Sequence, residues 1–279
     1  MEIYAITTYV IAEEVLKLLK FHDDPQTIMS NAEVITFAIV TAKFFAGNYK
    51  MARYVCQRFR LFPKILSNSR LNRRIHKITW NCWHAVFRFL AFLAEQLDEI
   101  CYFAVDSFPV EYCQKNRIDK RKRFLERRYL GFAASKKRYF CGIKVHMVVT
   151  NQGYPVEVHL CPGAESDLSV LWKMELDIPP DSFLYADGGY NCFDLEDQLL
   201  NEKIQLLAKR GAKAINRVRS PAEERKISSK RQVVETAFSS ITSQFPRYIK
   251  CRTENGFLIK IFCFILSYSV SFLWNKSLI

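Results

Sequence analysis

Up to about residue 100 the apolar positions of this 279-residue chain recur every three or four residues; from about residue 101 they recur every second one. The switch fixes the broad plan. A helical segment, 1–100, is expected to precede a sheet-based domain, 101–279, and the alternation of strands and helices in that second part predicts an α/β fold with a mixed sheet.

Within the first segment, Met1–Lys20 has helical spacing, Asp24-Pro25 marks a break, and Ser30 with Glu33 forms a capping box ahead of the apolar run from Val34 to Phe45. Gly47-Asn48 reads as a stop, Pro63 as further punctuation, and Thr79–Leu97 as a long aromatic-rich helix. In the second part, Tyr102–Phe108 alternates. So does Tyr139–Thr150, with Tyr139, Cys141, Ile143, Val145, Met147 and Val149 on one face and Phe140, Lys144 and His146 on the other. Asn151-Gln152-Gly153 predicts a hairpin into Val156–Cys161. Helices are expected over Asp167–Glu175, Phe193–Glu202 and Arg231–Phe245, and strands over Phe183–Asp187 and Ile204–Ala208.

Charge narrows the function classes. Lys and Arg number 41 against 28 Asp and Glu, a formal net charge of +13, which points to a polyanionic partner, nucleic acid before an anionic membrane. The excess concentrates in two stretches read as loops. Ten basic residues fall between Arg117 and Arg138, among them Lys136, Lys137 and Arg138, and nine between Lys209 and Arg231, among them Lys230. Such runs suit phosphate contacts that carry no base specificity. Arg70, Arg73, Arg74 and Lys77 make a further local concentration. The nine cysteines form no C-x-x-C pair and read as reduced thiols of a cytosolic protein; His159 and Cys161 share a strand face but lack a second pair at zinc spacing. Glu2 and the absence of a basic n-region argue against a secretory signal. The apolar run Phe257–Trp274 is interrupted by Lys260, Ser267 and Ser271 on one stripe. It is therefore expected to dock on a core and not to span a membrane.

Three acids stand out by context. Asp106 sits inside an apolar strand, Asp187 ends one before Gly188-Gly189, and Glu235 lies on a helix one turn after Arg231. An ionised carboxylate at a strand's buried end is costly unless paired or metal-bound. Carboxylates converging from separate elements suit hard divalent cations, Mg²⁺ or Mn²⁺, and a pair of ions can activate water and stabilise a leaving oxygen. Each acid also has a plainer reading: Asp106 capping a turn before Pro109, Asp187 bonding turn amides, Glu235 pairing with Arg231.

Several stretches resemble insertion-sequence transposases of the DDE type, and the nine-eighty-two family in particular. They are Val105-Asp106-Ser107-Phe108-Pro109, Ala133-Ala134-Ser135-Lys136-Lys137-Arg138-Tyr139-Phe140, Gly142-Ile143-Lys144-Val145, Pro162-Gly163 with Ser166-Asp167, Tyr185-Ala186-Asp187-Gly188-Gly189-Tyr190, and Arg231 with Glu235 and Phe238. The resemblance implies a ribonuclease-H-like catalytic domain with Asp106, Asp187 and Glu235 as the catalytic, metal-holding triad, and Mg²⁺ or Mn²⁺, two ions, as cofactor. It implies double-stranded DNA as substrate and a homodimer on DNA. Arg231, Lys144 and the basic stretches become candidate phosphate contacts, and Arg70, Arg73 and Arg74 candidate readers of the element's ends. Asp167 is expected as a helix N-cap or a group that supports the ligands. Where many related transposases have a Tyr three residues before the Arg and a Lys seven after the Glu, this chain has Ser228 and Thr242, and Lys226, Lys230 or Lys250 could replace that Lys. Two alternatives stay open: a transposase-derived DNA-binding protein without activity, and a related nuclease.

Overall fold

A computed structural model describes residues 1–97, 99–113, 127–133, 137–211 and 214–276. The chain divides into two compact units, Met1–Leu97 with Ser240–Ile279, and Asp98–Ser239. This differs from a single domain over 101–279. The C-terminal helix groups with the N-terminal helices for a physical reason given below.

The helical unit contains α1 (Glu2–Leu18), α2 (Asn31–Phe45), α3 (Tyr49–Arg58), α4 (Asn68–Lys77), α5 (Trp80–Glu95) and α9 (Glu254–Asn275). Local signals set the starts. Ser30 accepts from the Glu33 amide while Glu33 accepts from the Ser30 amide, closing the expected capping box on α2; Asn48, Ser67, Thr79 and Thr253 cap α3, α4, α5 and α9. α9 is long and apolar enough to cross a membrane, and most of that span is buried inside the protein, against α2 and α5. Ser267, expected on a polar stripe with Lys260 and Ser271, is not on a polar surface. Ser267 and Ser269 are buried with their apolar neighbours, the single Ser267 hydroxyl proton having the Gln244 side-chain oxygen (2.7 Å) and the Phe264 carbonyl (2.8 Å) as acceptors within reach, and the Tyr4 phenol of α1 donates to the Ser267 carbonyl at 3.0 Å. A helix buried nearly all round requires helical neighbours on more than one side.

The second unit is a six-stranded mixed sheet with α6 (Asp167–Lys173), α7 (Phe193–Asn201) and α8 (Pro221–Thr242) up to Ser239. The strands are β1 (Phe103–Cys113), β2 (Leu130–Ala133), β3 (Arg138–Thr150), β4 (Pro155–Pro162), β5 (Ser182–Ala186) and β6 (Ile204–Ala208). Their order is β2-β3-β1-β5-β6, with β4 also on β3. β1, β2 and β4 pair with β3 antiparallel, whereas β5 is parallel to both β1 and β6. The short apolar strands β5 and β6 lie in the parallel part, as continuous apolar runs predict. Pro109 does not end β1. Beyond Ala104 the strand pairs only with β3, so one edge needs no N–H donor. β2 is an element the sequence reading did not contain, and α8 begins ten residues before the expected Arg231.

Candidate active site

β1 and β5 align Phe103 with Leu184 and Ala104 with Tyr185. Carried two residues further, the same parallel register sets Asp106 beside Asp187. Asp187 lies one residue past β5, where its carboxylate accepts from the Gly189 amide at 2.7 Å and caps a short 3₁₀ turn, Gly188–Tyr190. A Cβ on Gly189 would stand 3.0 Å from the Asp187 carboxylate and 3.5 Å from that of Asp167, so the glycine leaves room for two acids to approach.

α8 is fixed against β1 by Phe108 and Phe238, whose rings lie 4.6 Å apart, and by Val234, which is fully buried. Asp106 and Phe108 share one face of β1. Arg231 of α8 therefore reaches Asp106, its guanidinium donating at 2.6 Å, and its other end pairs with Glu235 at 2.8 Å. Asp106 also accepts from the Ser107 amide at 2.7 Å. Burial pushes the Asp106 carboxyl up to about 6; the Ser107 amide and Arg231 oppose that rise, and the charges of Asp187 and Asp167 add to it.

The opposite face of β1 and β3 carries Ser107, Lys144 and His146, with Ser107 opposite His146 in the ladder. Asp167 receives the Ser107 hydroxyl at 3.0 Å and the Lys144 ammonium at 2.8 Å. It is not the helix cap, because Ser166 caps α6 by accepting from the Ser169 amide. His146 is fully buried, its Nδ1 3.2 Å from the Tyr190 hydroxyl. Its Nε2 has no hydrogen-bond partner among the described residues and lies 3.7 Å from Asp167. Burial holds the imidazole well below its usual pKa, so the His146–Asp167 approach is not an ion pair at neutral pH.

The structure thus brings Asp106 next to Asp187 and ties Glu235 to Asp106 through one guanidinium. Among the described residues no three His, Cys, Asp or Glu side chains form a group that could hold a metal ion. The donor set fits a hard cation in kind, being oxygen-only, with a desolvated carboxyl at its centre and a glycine making space. In the arrangement seen here, Arg231 is the counter-charge. The plainer readings of Asp187 and Glu235 are also realised, since the first bonds its turn amide and the second pairs with Arg231.

The expected phosphate contacts fare unevenly. Arg231 and Lys144 are engaged with carboxylates. Arg138 pairs with Glu111, and Lys230 lies over the Tyr102 ring, 4.4 Å from its centroid. Arg74 donates to Asn31 at 3.0 Å and faces Asp23 at 3.5 Å. Lys137, Arg70 and Arg73 are exposed to solvent. Lys136, and the part of the first basic stretch from Arg117 to Arg123, lie outside the described residues. In the second stretch, Arg210 is buried in a two-pronged pair with Glu196 (2.6 and 2.7 Å), and Arg217 binds Asp197 at 2.7 Å; neither is free for phosphate.

The mixed sheet thus carries Asp106 within β1 and Asp187 just past the neighbouring parallel strand β5, with Glu235 on the covering helix α8. Residues 95–246, more than half of the chain, match the transposase DDE domain family, and the chain belongs to that family. By structure it is similar to the piggyBac transposase in a synaptic complex with hairpin DNA, determined by cryo-EM. The TM-score is 0.52 at 11% identity, covering 98% of this chain and 65% of that one, so the chain spans slightly less than two thirds of that protein's length. At that identity the likeness is one of fold. No curated protein matches the chain by sequence.

Proposed function

We propose that the chain is an active DNA transposase of the insertion-sequence nine-eighty-two type, which hydrolyses a phosphodiester at the element's ends and joins the freed 3′-hydroxyl to target DNA. The observation that carries this is that Asp106 on β1 and Asp187 just past the parallel strand β5 are close enough for the charge of one to raise the carboxyl of the other, with Glu235 on the same arginine as Asp106. A ribonuclease-H-like reading of the sheet is supported by its layout: β4, β3 and β1 antiparallel in sequence, then β5 and β6 parallel to β1. The neighbour's complex with DNA supports double-stranded DNA as the partner here.

Asp106, Asp187 and Glu235 would hold Mg²⁺ or Mn²⁺, two ions in this reading. When bound, such cations activate water or a hydroxyl and offset charge on the leaving oxygen. The protein's own residues do the positioning. The Ser107 amide fixes one Asp106 oxygen, the Gly189 amide fixes Asp187, and Lys144 with Ser107 holds Asp167 beside them. Arg231 neutralises two carboxylates that would otherwise repel, and its guanidinium fits phosphate geometry equally well. A Ser/His or Tyr nucleophile is unnecessary, because orientation and charge stabilisation supply the rate. Two DNA ends must be joined, which calls for a homodimer on DNA.

A second, inactive DNA-binding reading is favoured by Ser228 and Thr242 on α8, at positions where related enzymes carry Tyr and Lys. Nicking of DNA that carries the sequences flanking the gene on both sides separates the two. The wild type is expected to cut with Mg²⁺ and not with chelator, and Asp187→Asn to bind that DNA as well as the wild type while losing cutting at least about a hundredfold. Wild-type protein that binds and never cuts establishes the inactive reading. Equal cutting by Asp187→Asn removes that acid from the chemistry.

A further inference from the structure

The helical unit carries a concentration of charge that the carboxylate site does not use. α4 buries Leu71 and Ile75 and leaves Arg73 and Lys77 exposed, while Lys250 and Arg252, nearly 180 residues later in sequence, are exposed in the segment that leads into α9. The fold brings these two short stretches together in the lining of one cleft of about 790 Å³. Its lining includes Arg73, His76, Lys77, Lys250, Arg252 and Lys260, together with small polar groups from the first turn of α4, and no Asp or Glu among the described residues.

Two details show that the cleft is built and not a chance meeting of surface chains. Lys260 projects from the apolar helix α9; its ammonium donates to the Lys250 carbonyl and lies 5.0 Å from the centroid of the Tyr49 ring. No carboxylate stands within ion-pair distance of it among the described residues. A half-buried cation without an acid is costly unless an external anion offsets it. Gly256, in the first turn of α9, is the second detail. A Cβ there would stand 3.0 Å from the His76 ring, so the close approach of α4 to the start of α9 needs a glycine. That approach turns the first amides of α9, capped by Thr253, toward the same cleft, adding the positive end of a 22-residue helix.

We propose that this cleft is a binding site for the sugar–phosphate backbone of duplex DNA, distinct from the carboxylate site, with Arg73, Lys77 and Lys250 as phosphate contacts and Lys260 setting the potential of its floor. DNA as the polyanion rests on the transposase reading above. An anionic membrane surface fits less well, because the cleft's aliphatic side chains, Ile75 and Ile259, are buried and leave nothing to insert into lipid.

The test is a salt titration of the full chain against a short labelled duplex, read by fluorescence anisotropy, for the wild type, Arg73→Gln with Lys250→Gln, and Lys17→Gln as a control. Lys17 lies on α1 in an exposed pair with Glu13 and Glu14, so its loss removes charge elsewhere. The expected result is a slope of log affinity against log salt reduced by about two in the double variant, one for each lost phosphate contact, and unchanged in Lys17→Gln. Matching thermal melts establish that the double variant, altered only at exposed positions, is folded. Wild-type binding with an unchanged slope in the double variant overturns the cleft and leaves the transposase reading standing. Wild-type protein that retains no duplex even at low salt overturns both, and capture by phosphatidylserine vesicles through Arg73 and Lys250 without DNA binding replaces DNA by a membrane.

Discussion

His146 shows how much a single residue's surroundings add to its identity. Alternation along β3 put it on a polar face with Lys144, but alternation distinguishes only two faces and does not say that both are covered. Tyr190 and Asp167 close over this one, and the imidazole is held neutral, its pKa lowered to about 4 by burial. The sign of the consequence is fixed. Between about 6.5 and about 4 the unfolded chain takes up a proton that the folded chain refuses, so this stabilisation is complete above about 6.5 and is lost as pH falls toward 4. On the order of 3 kcal/mol is at stake for a shift of that size. Asp106, raised to about 6, contributes a slope of opposite sign over the same range, so the difference between variants isolates the histidine: urea unfolding in chelator should show the wild type losing stability with acid relative to His146→Gln, and parallel profiles would remove His146 as a cause. Asp106 and Asp187 were legible because a carboxylate in an apolar run has few reasons to be there. Asp167 was less so, since a serine-acid pair before an apolar run looks like any helix start, and the pairing of Arg231 with Asp106 spans 125 residues that no local pattern connects.

At the scale of elements, the second basic stretch is where residue counting misleads. Nine positive charges read as a solvated loop, yet the stretch is half helix and half anchored turn. Ser220-Pro221-Ala222-Glu223 announces the helix: Glu223 accepts from the Ser220 amide at 2.7 Å, Ser220 Oγ accepts from the Glu223 amide at 3.3 Å, and a proline fills the first helical position. That signal was present in the sequence ten residues ahead of the expected start. The anchoring could not be read there, because Glu196 lies on α7, a separate element. Arg210 bonds both Glu196 oxygens, donates to Asn191, and lies 5.0 Å over the Phe193 ring, so it ties the turn after β6 to α7. Arg210 is 7% exposed and Glu196 8%, so Arg210→Ala leaves a buried carboxylate whose remaining partner is Arg217, 3.1 Å away and itself solvent-exposed. It should cost roughly 3–5 kcal/mol in chemical unfolding, against about 1 kcal/mol or less for Arg138→Ala, whose partner Glu111 is better solvated. Equal losses for the two would show that the Arg210 pair contributes no more than a surface one. β2 escaped notice for a simpler reason: four residues with alternate burial at a sheet edge are too few to give a period.

For the molecule as a whole, the decisive fact is that residues 98–239 are inserted, in sequence, into a helical unit whose last helix comes from the far end of the chain. The change of period near residue 101 located where the sheet begins. It carried no information on where the sheet domain ends, because helices α8 and α9 follow one another with only a short connection and no return to a different period. Energetics decide which helices belong together. Phe257, Ile261, Phe262, Phe264, Ile265 and Leu266 of α9 are each 1% exposed or less. At about 1.5–3 kcal/mol for each buried side chain, their removal forfeits on the order of 10 kcal/mol, comparable to the whole stability of an ordinary domain. A fragment ending at residue 100 would therefore keep all five N-terminal helices and still expose the apolar faces of α2 and α5 that α9 covers. It should aggregate or melt without a cooperative transition, whereas residues 1–97 joined by a flexible linker to 240–279 should give a monomer by gel filtration with a cooperative helical melt. A monomeric, cooperatively folding 1–100 fragment would contradict this and return the boundary to where the period changes. If instead the joined fragment alone folds, it also offers a direct route to the cationic cleft, since α4 and the 250–256 segment are both retained in it.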